Sequence, residues 1–280
     1  MASLLRPYSS PSAPRPHRRR LVAGLLLATG GWVAGAHAVE RYEGAAYARD
    51  GGQLLYRETH WRYGEDGSTR RLVLYRCPNG AAFARKRVVE TAQPSAPDFD
   101  FHDGRDGYRE GVRSRAGRRE VYVQAGATAA LRAKAIELPH DAVIDAGFDA
   151  MVRMRWDELG REGGVAVPFL LPSRYAFLDL KLSAAAPLQA QGRAARRLRM
   201  SLDRWYGFAI PSIELIYGDR DRRLIEFRGI GTIRDRRGRP LDVRIVFPAD
   251  AVVRDAARVE VDRAGSVELA ASCGAGSPSA

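Results

Sequence analysis

The chain has 280 residues, with 45 Lys and Arg against 33 Asp and Glu and a net charge of +12. The positive charge is almost all arginine: lysine occurs only at 86, 134 and 181, and Asn79 is the only asparagine, a bias that a GC-rich genome produces without selection for an anionic partner. Basic and acidic residues are interleaved and no docking motif for DNA or RNA occurs, so nucleic acid is excluded as the expected partner, while contact with an anionic membrane surface is compatible with the charge.

The first 38 residues read as a secretory signal peptide. Arg6, Arg15, Arg18, Arg19 and Arg20 form a cationic start without acidic residues, and Leu21 to Ala36 is an apolar run broken by Gly24, Gly30, Gly31 and Gly35. Ala36-His37-Ala38 then places small residues where a signal peptidase needs them, with cleavage expected before Val39 and export to the periplasm or medium. The alternative is an uncleaved N-terminal membrane anchor, since the run approaches the roughly 20 apolar residues that span a bilayer. Arg18-Arg19-Arg20-Leu21-Val22 loosely resembles a twin-arginine signal. No cofactor motif accompanies it, so unfolded export is the expected route and no cofactor is expected. Removal of the five leader arginines lowers the net charge from +12 to +7.

The remainder is expected to be one β-rich domain over 39–270, followed by a flexible tail over 271–280. Gln53 to Tyr63, Arg71 to Arg76 and Phe83 to Glu90 read as three strands of an antiparallel meander, separated by Gly64-Glu65-Asp66-Gly67 and Cys77-Pro78-Asn79-Gly80, whose residues suit tight reversals. Ile144, Phe148, Met151, Val152, Trp156 and Leu159 have the three-and-four spacing of one amphipathic helix over about 145–159, with Asp141 or Asp145 as its cap and Gly160 as its end. Val165 to Leu171 and Tyr175 to Leu182 read as strands, the first confined by Pro168 and Pro172 to an edge or bulge. Ile213 to Tyr217, Leu224 to Ile233 and Leu241 to Phe247 form a second meander, with Leu241, Val243, Ile245 and Phe247 on one apolar face that needs a cover. The expected fold is therefore mainly β, a curved antiparallel sheet or open barrel wrapped around the one helix.

Four segments, Gly52 to His60, Tyr75 to Gly80, Asp145 to Asp149 and Phe169 to Arg174, resemble a family of exported proteobacterial proteins of uncharacterised function. The resemblance covers most of 45–248 and implies no activity. In architecture alone, a curved sheet covering a helix is similar to the periplasmic lipoprotein carriers of the LolA and LolB type, and a shared fold does not transfer function.

Three groups of side chains are candidates for function. Asp98, Asp100, His102 and Asp103 crowd a segment that offers oxygen ligands to a hard cation, although the calcium-loop spacing fails because Arg109 stands twelfth and Glu110 one place late; the alternative is a solvated turn anchored by Phe99 and Phe101. Glu58, His60 and Tyr56 share one face of their strand, as an acid, a base and a phenol or as an ordinary solvent face. Trp61, Tyr63, Trp205, Tyr206 and Phe208 are the candidates to line an apolar cavity for a lipid or other hydrophobic ligand, the alternative being that they fill the core. Cys77 and Cys273 fall in an oxidising compartment and either pair or remain free thiols. The expected function is non-enzymatic binding or carriage of a hydrophobic ligand. The alternatives are a metal-dependent envelope enzyme built on the 98–110 acidic loop, or an assembly factor that binds an envelope protein through an exposed strand edge.

Overall fold

The computed structural model describes residues 38–50, 52–202 and 213–274. The first meander begins with β1 (Val39–Ala48), a strand not anticipated from sequence, and continues through β2 (Leu54–Glu65), β3 (Ser68–Arg76) and β4 (Ala82–Val89). Asp66 (φ 50°) and Gly67 (φ 72°) turn β2 into β3 with both central residues left-handed, the reversal whose twist matches the flanking strands. At the β3 to β4 turn, Asn79 Oδ1 accepts from the Ala81 amide at 3.1 Å and the Gly80 amide donates to the Cys77 carbonyl at 2.9 Å.

The segment expected to be an acidic loop is instead regular sheet. β5 (Asp98–Asp103), β6 (Arg109–Arg115), β7 (Arg118–Gln124) and β8 (Arg132–Ile136) extend the same meander. Phe99 and Phe101 are buried on the inner face and Asp98, Asp100 and His102 point to the other, the period of two that any strand imposes. The second half contributes β9 (Val165–Leu171), β10 (Ala176–Ala184), β11 (Leu188–Ala190), β12 (Arg193–Leu202), β13 (Ile213–Gly218), β14 (Leu224–Arg234), β15 (Pro240–Val246) and β16 (Val253–Ala256). Among the described residues these form one antiparallel sheet in the order β8-β7-β6-β5-β4-β3-β2-β1-β15-β14-β13-β12-β10-β9, with β11 on β12 and β16 on β1. Pro168 lies in β9, at one end of that order, where a missing amide costs least. The turn 172–174 after β9 packs against β6 and β7, so the curved sheet brings its far halves together as an open barrel.

The expected helix is present but divided. Asp145–Gly147 is a single tight turn, followed by α1 (Phe148–Met154) and α2 (Trp156–Leu159), with the break at Arg155 (φ −101°, ψ 22°). Ile144, Met151, Val152, Trp156 and Leu159 are buried as their spacing requires, and Phe148 packs beside them. Neither aspartate caps the start. Asp145 adopts φ 41° and gives its carboxylate to Lys86, while Asp141 pairs with His140 at 2.9 Å. Backbone holds the start instead: the Ile144 amide donates to the Ser95 carbonyl at 2.9 Å, and a Cβ on Gly147 would overlap that same carbonyl.

The helix also covers a different part of the sheet from that expected. Its stripe packs on Val165, Val167, Leu180, Leu182, Leu198, Met200, Leu215 and Tyr217, from β9, β10, β12 and β13. Val243, Ile245 and Phe247, with Leu241 beside them, join a second inner cluster with Tyr56, Tyr75, Phe83, Phe101 and Ile144, closed by the curvature of the sheet itself. On the outer face, Trp61, Leu72, Leu74 and Ala82 are covered by Val261 and Ala264 of α3 (Arg258–Ser266). The carbonyls that a helix leaves unpaired at its C-terminus are taken by arginines of β4: Arg85 Nε donates to Ala264 O at 2.9 Å and also reaches Val267 O, and Arg87 donates to Gly265 O at 2.7 Å. The chain then continues along β4, where the Ala270 amide donates to Ala82 O at 2.7 Å, and Cys273 forms a disulfide with Cys77 across a Cα separation of 5.5 Å.

Candidate functional site

Between the two inner apolar clusters runs a row of polar side chains, and strand register places most of it. Tyr42 of β1 stands opposite His60 of β2, Glu58 opposite Tyr75 of β3, and Val73 opposite Lys86 of β4, so Tyr42, Glu58, His60, Arg71, Tyr75 and Lys86 share the concave face. Asp145 and Asp149, four residues apart, enter from the helical segment.

Most of these groups are paired. The Tyr42 and His60 rings stack at 4.5 Å, and His60 Nε2 lies 3.0 Å from Glu58 Oε1. Lys86 Nζ is 2.6 Å from Asp145 Oδ1 and sits within 5.8 Å of the Phe99 and Phe101 ring centres. Tyr108 donates to Glu110 at 2.7 Å, and Tyr217 donates to Asp149 Oδ1 at 2.8 Å. Burial raises the pKa of Glu110, against the pull of Tyr108 and Lys86. The phenols of Tyr42, Tyr75 and Tyr217 are raised as well, chiefly by burial. Burial opposes the charge on Arg71, but Tyr42 and Asp149 outweigh it and its pKa stands above the ordinary value.

Some groups have no partner among the described residues. Asp145 Oδ2 and His60 Nδ1 are buried without a hydrogen bond. Side chains on this inner face nonetheless keep some exposure: 14 % for Arg71, 19 % for Asp149 and 11 % for His60. The polar row is therefore not wholly sealed from solvent. Chemically it presents an Arg guanidinium, several phenols and an acid–imidazole pair, framed by Phe247, whose ring meets both Tyr42 and His60 edge-on.

The side chains singled out from sequence are distributed differently from the expectation. Glu58, His60 and Tyr56 do share a face, and it is the buried inner one, not a solvent face. Trp61 and Tyr63 belong to the outer face under α3, where Trp61 Nε1 donates to Glu260 at 3.3 Å and Arg258 lies over the Tyr63 ring at 4.5 Å; they do not line the concavity. Trp205, Tyr206 and Phe208 lie outside the described residues. The acidic set is not gathered around a common centre. Asp98 pairs with Arg119 at 2.9 Å, Asp100 with Arg109 at 3.2 Å and with the Tyr122 hydroxyl at 2.5 Å, and Asp103 with Arg105 at 2.6 Å on the opposite face. Among the described residues no group of three or more His, Cys, Asp or Glu is placed to hold a metal ion. His102 instead borders an open groove of about 550 Å³ with Arg85, Arg105, Asp106 and Glu268, beside the disulfide-tethered C-terminal segment. Burial, then Arg109, lowers its pKa.

Arg71, Tyr42, Lys86, Asp145 and Asp149 were not among the functional candidates from sequence, where Asp145 figured only as a helix cap and, with Asp149, in a family-like segment. Lys86 carried a signal, as one of three lysines; Arg71 is one arginine among many.

No protein-family model matches the chain, and no curated protein matches it. Among solved structures it is similar to a β-barrel-like protein of domain of unknown function DUF1849 from Brucella abortus, at 8 % identity and TM-score 0.44 over 78 % of this chain and 96 % of that one. It is also similar to a DUF1329 family protein from Desulfovibrio piger, at 13 % identity and TM-score 0.26 over 79 % of this chain and 87 % of that one.

Proposed function

We propose that the protein is exported to the periplasm, loses residues 1–38, and acts there without catalysis as a binding protein that holds a ligand with an apolar body in the concavity of its sheet. The observation that carries this reading is the exposure retained by Arg71, Asp149 and His60 on the inner face. A core built only for stability buries apolar groups and closes over them. Here polar side chains with residual access lie at the seam of two apolar clusters, and the partly buried Leu224 and Phe227 contact both. Small-ligand sites combine such apolar walls with a few convergent polar groups. The test is native purification from the periplasm followed by organic extraction and mass spectrometry. A co-extracted small molecule at near-stoichiometric yield is the expected result; its repeated absence, with full recovery of folded protein, sinks the reading.

A second reading, assembly through an exposed strand edge, is favoured by β8. It ends the sheet order, and Arg132, Ala133, Lys134 and Ala135 are all exposed. An extended acidic segment of an envelope protein would add to that edge. Arg132 and Lys134 also serve to keep copies of this chain from pairing there, which is why the interior reading is preferred.

A further inference from the structure

We infer that the concavity anchors its ligand by an anionic head, a carboxylate or a phosphate, on Arg71 and Tyr42; this rests on the ligand-binding reading above and specifies the ligand class. A guanidinium offers five N–H donors in a rigid fork. Among the described residues Arg71 donates no hydrogen bond to the protein, and its carboxylate neighbour Asp149 stands at 3.7 Å. Arg119 is the internal control. Its side chain is equally exposed, at 14 %, yet its terminal nitrogens donate to the carbonyls of Ala96 and Pro97 at 3.0–3.1 Å and it pairs with Asp98 at 2.9 Å. The terminal nitrogens of Arg119 are thus occupied by its surroundings, although its Nε is buried without a partner, whereas none of the nitrogens of Arg71 donates a hydrogen bond among the described residues.

The other charges around Arg71 are already engaged. Glu58 is held by His60 at 3.0 Å, Asp145 Oδ1 by Lys86 at 2.6 Å, and Glu90 by Arg62 at 3.2 Å. Asp149 accepts from the Tyr217 hydroxyl at 2.8 Å through Oδ1, and its Oδ2 stands 3.7 Å from Arg71, beyond hydrogen-bond reach. Arg71 is left as the inner-face cation without a hydrogen-bonded counter-group. Tyr42, on the strand beyond β2, is the second free donor: its hydroxyl has no partner among the described residues. Its ring is fixed between His60 at 4.5 Å and the Arg223 guanidinium at 5.2 Å. A carboxylate or phosphate that accepts two parallel N–H bonds would occupy these donors in place of solvent, with correct geometry. The acidic neighbours already paired with Lys86, Arg62 and His60 do not compete for Arg71, and Asp149 stands outside hydrogen-bond reach.

The test measures binding of three probes, decanoate, decanol and inorganic phosphate, to the purified protein by calorimetry and thermal shift. Decanoate is expected to bind saturably and decanol about tenfold or more weaker, because only the former engages the guanidinium. Phosphate binding as tightly as decanoate also supports the anion site and identifies a free anion as its source; decanoate alone identifies an amphiphile. Arg71→Met gives up the ion pair with Asp149 and is expected to melt lower, so binding is read well below its melting temperature, where decanoate should be weakened at least about tenfold. Tyr42→Phe, which keeps the stacked ring, is the second variant and should weaken decanoate several-fold. Equal affinity for decanol and decanoate, or unchanged decanoate binding in both variants, overturns the anionic anchor and leaves the ligand-binding reading standing. If none of the three probes binds, the anionic anchor falls, and the ligand-binding reading is decided by the extraction experiment alone.

Discussion

Lys86 is one of three lysines in a chain that otherwise uses arginine, and its setting accounts for the choice. A compact ammonium fits between the Phe99 and Phe101 rings and reaches Asp145 at 2.6 Å, where the broad planar guanidinium would need a different cavity. Its neighbour Glu110 makes a pH prediction. Burial raises the folded-state pKa of this carboxyl above its ordinary value, so the fold favours the protonated form. The stability this contributes is complete below the unfolded pKa of about 4.3 and is lost as pH rises through the folded value. Glu110→Gln keeps an acceptor for the Tyr108 hydroxyl. It should therefore be more stable than the parent at neutral pH, with the advantage vanishing below about pH 4, as read from urea midpoints at both ends. An acidic-range advantage equal to the neutral one would contradict the assignment. At this scale the sequence is partly legible: residues 58 and 60 fall on one face by strand parity alone. The lack of partners at Arg71 depends on which residues pack around it, and no local pattern encodes that.

Among the elements, the helical segment shows what periodicity delivers and what it misses. Its apolar stripe is set by spacing and is found buried, whereas its start is fixed by a long-range contact with Ser95, which no capping rule foresees. Gly147→Ala forces a methyl against the Ser95 carbonyl and the Pro97 ring. The cost is expected at roughly 1–3 kcal/mol, as in other overpacked sites, measurable by chemical denaturation with the inner sheet otherwise intact. A neutral result would mean that the 95–97 segment moves aside freely. The strand β5 was hidden by its acidity, although its Phe99 and Phe101 alternate correctly. Trp61 and Tyr63 were assigned to the wrong side for a related reason. Both faces of β2 are buried, one by Tyr56 in the inner core and the other by α3, so a period of two cannot say which face is concave. The helix α3 escaped notice because it buries only Val261 and Ala264.

For the whole molecule, the two meanders and the curved antiparallel sheet were legible because they follow from short-range turns. Their closure was not, since it joins residues distant in sequence, as Ala45 to Val246; the bridge of Cys77 to Cys273, over a separation of 196, is the one of two outcomes left open by the sequence that the structure shows. In the chain-entropy model, a cross-link over a loop of that length stabilises by at most about 5 kcal/mol. Thermal melts with and without reductant, and of a Cys77→Ser, Cys273→Ser double variant, should both show a substantial fall in melting temperature. Superimposable curves would mean that the cross-link itself adds nothing to stability.

The position of β1 has a kinetic consequence. The first strand of the sheet lies in its middle, with β2 on one edge and β15 and β16 sharing the other. A chain that appears N-terminus first can lay β2 to β8 onto β1 as each arrives, but β1 must keep its second edge unpaired until roughly 200 further residues have arrived, and pairings of such separation form slowly. During that interval the half-built sheet exposes a strand edge and the inner faces of Ala46 and Tyr56, the surfaces that invite aggregation. Folding of this protein is therefore expected to be limited by the return of its last strands to its first, and dependent on whatever shields that edge meanwhile.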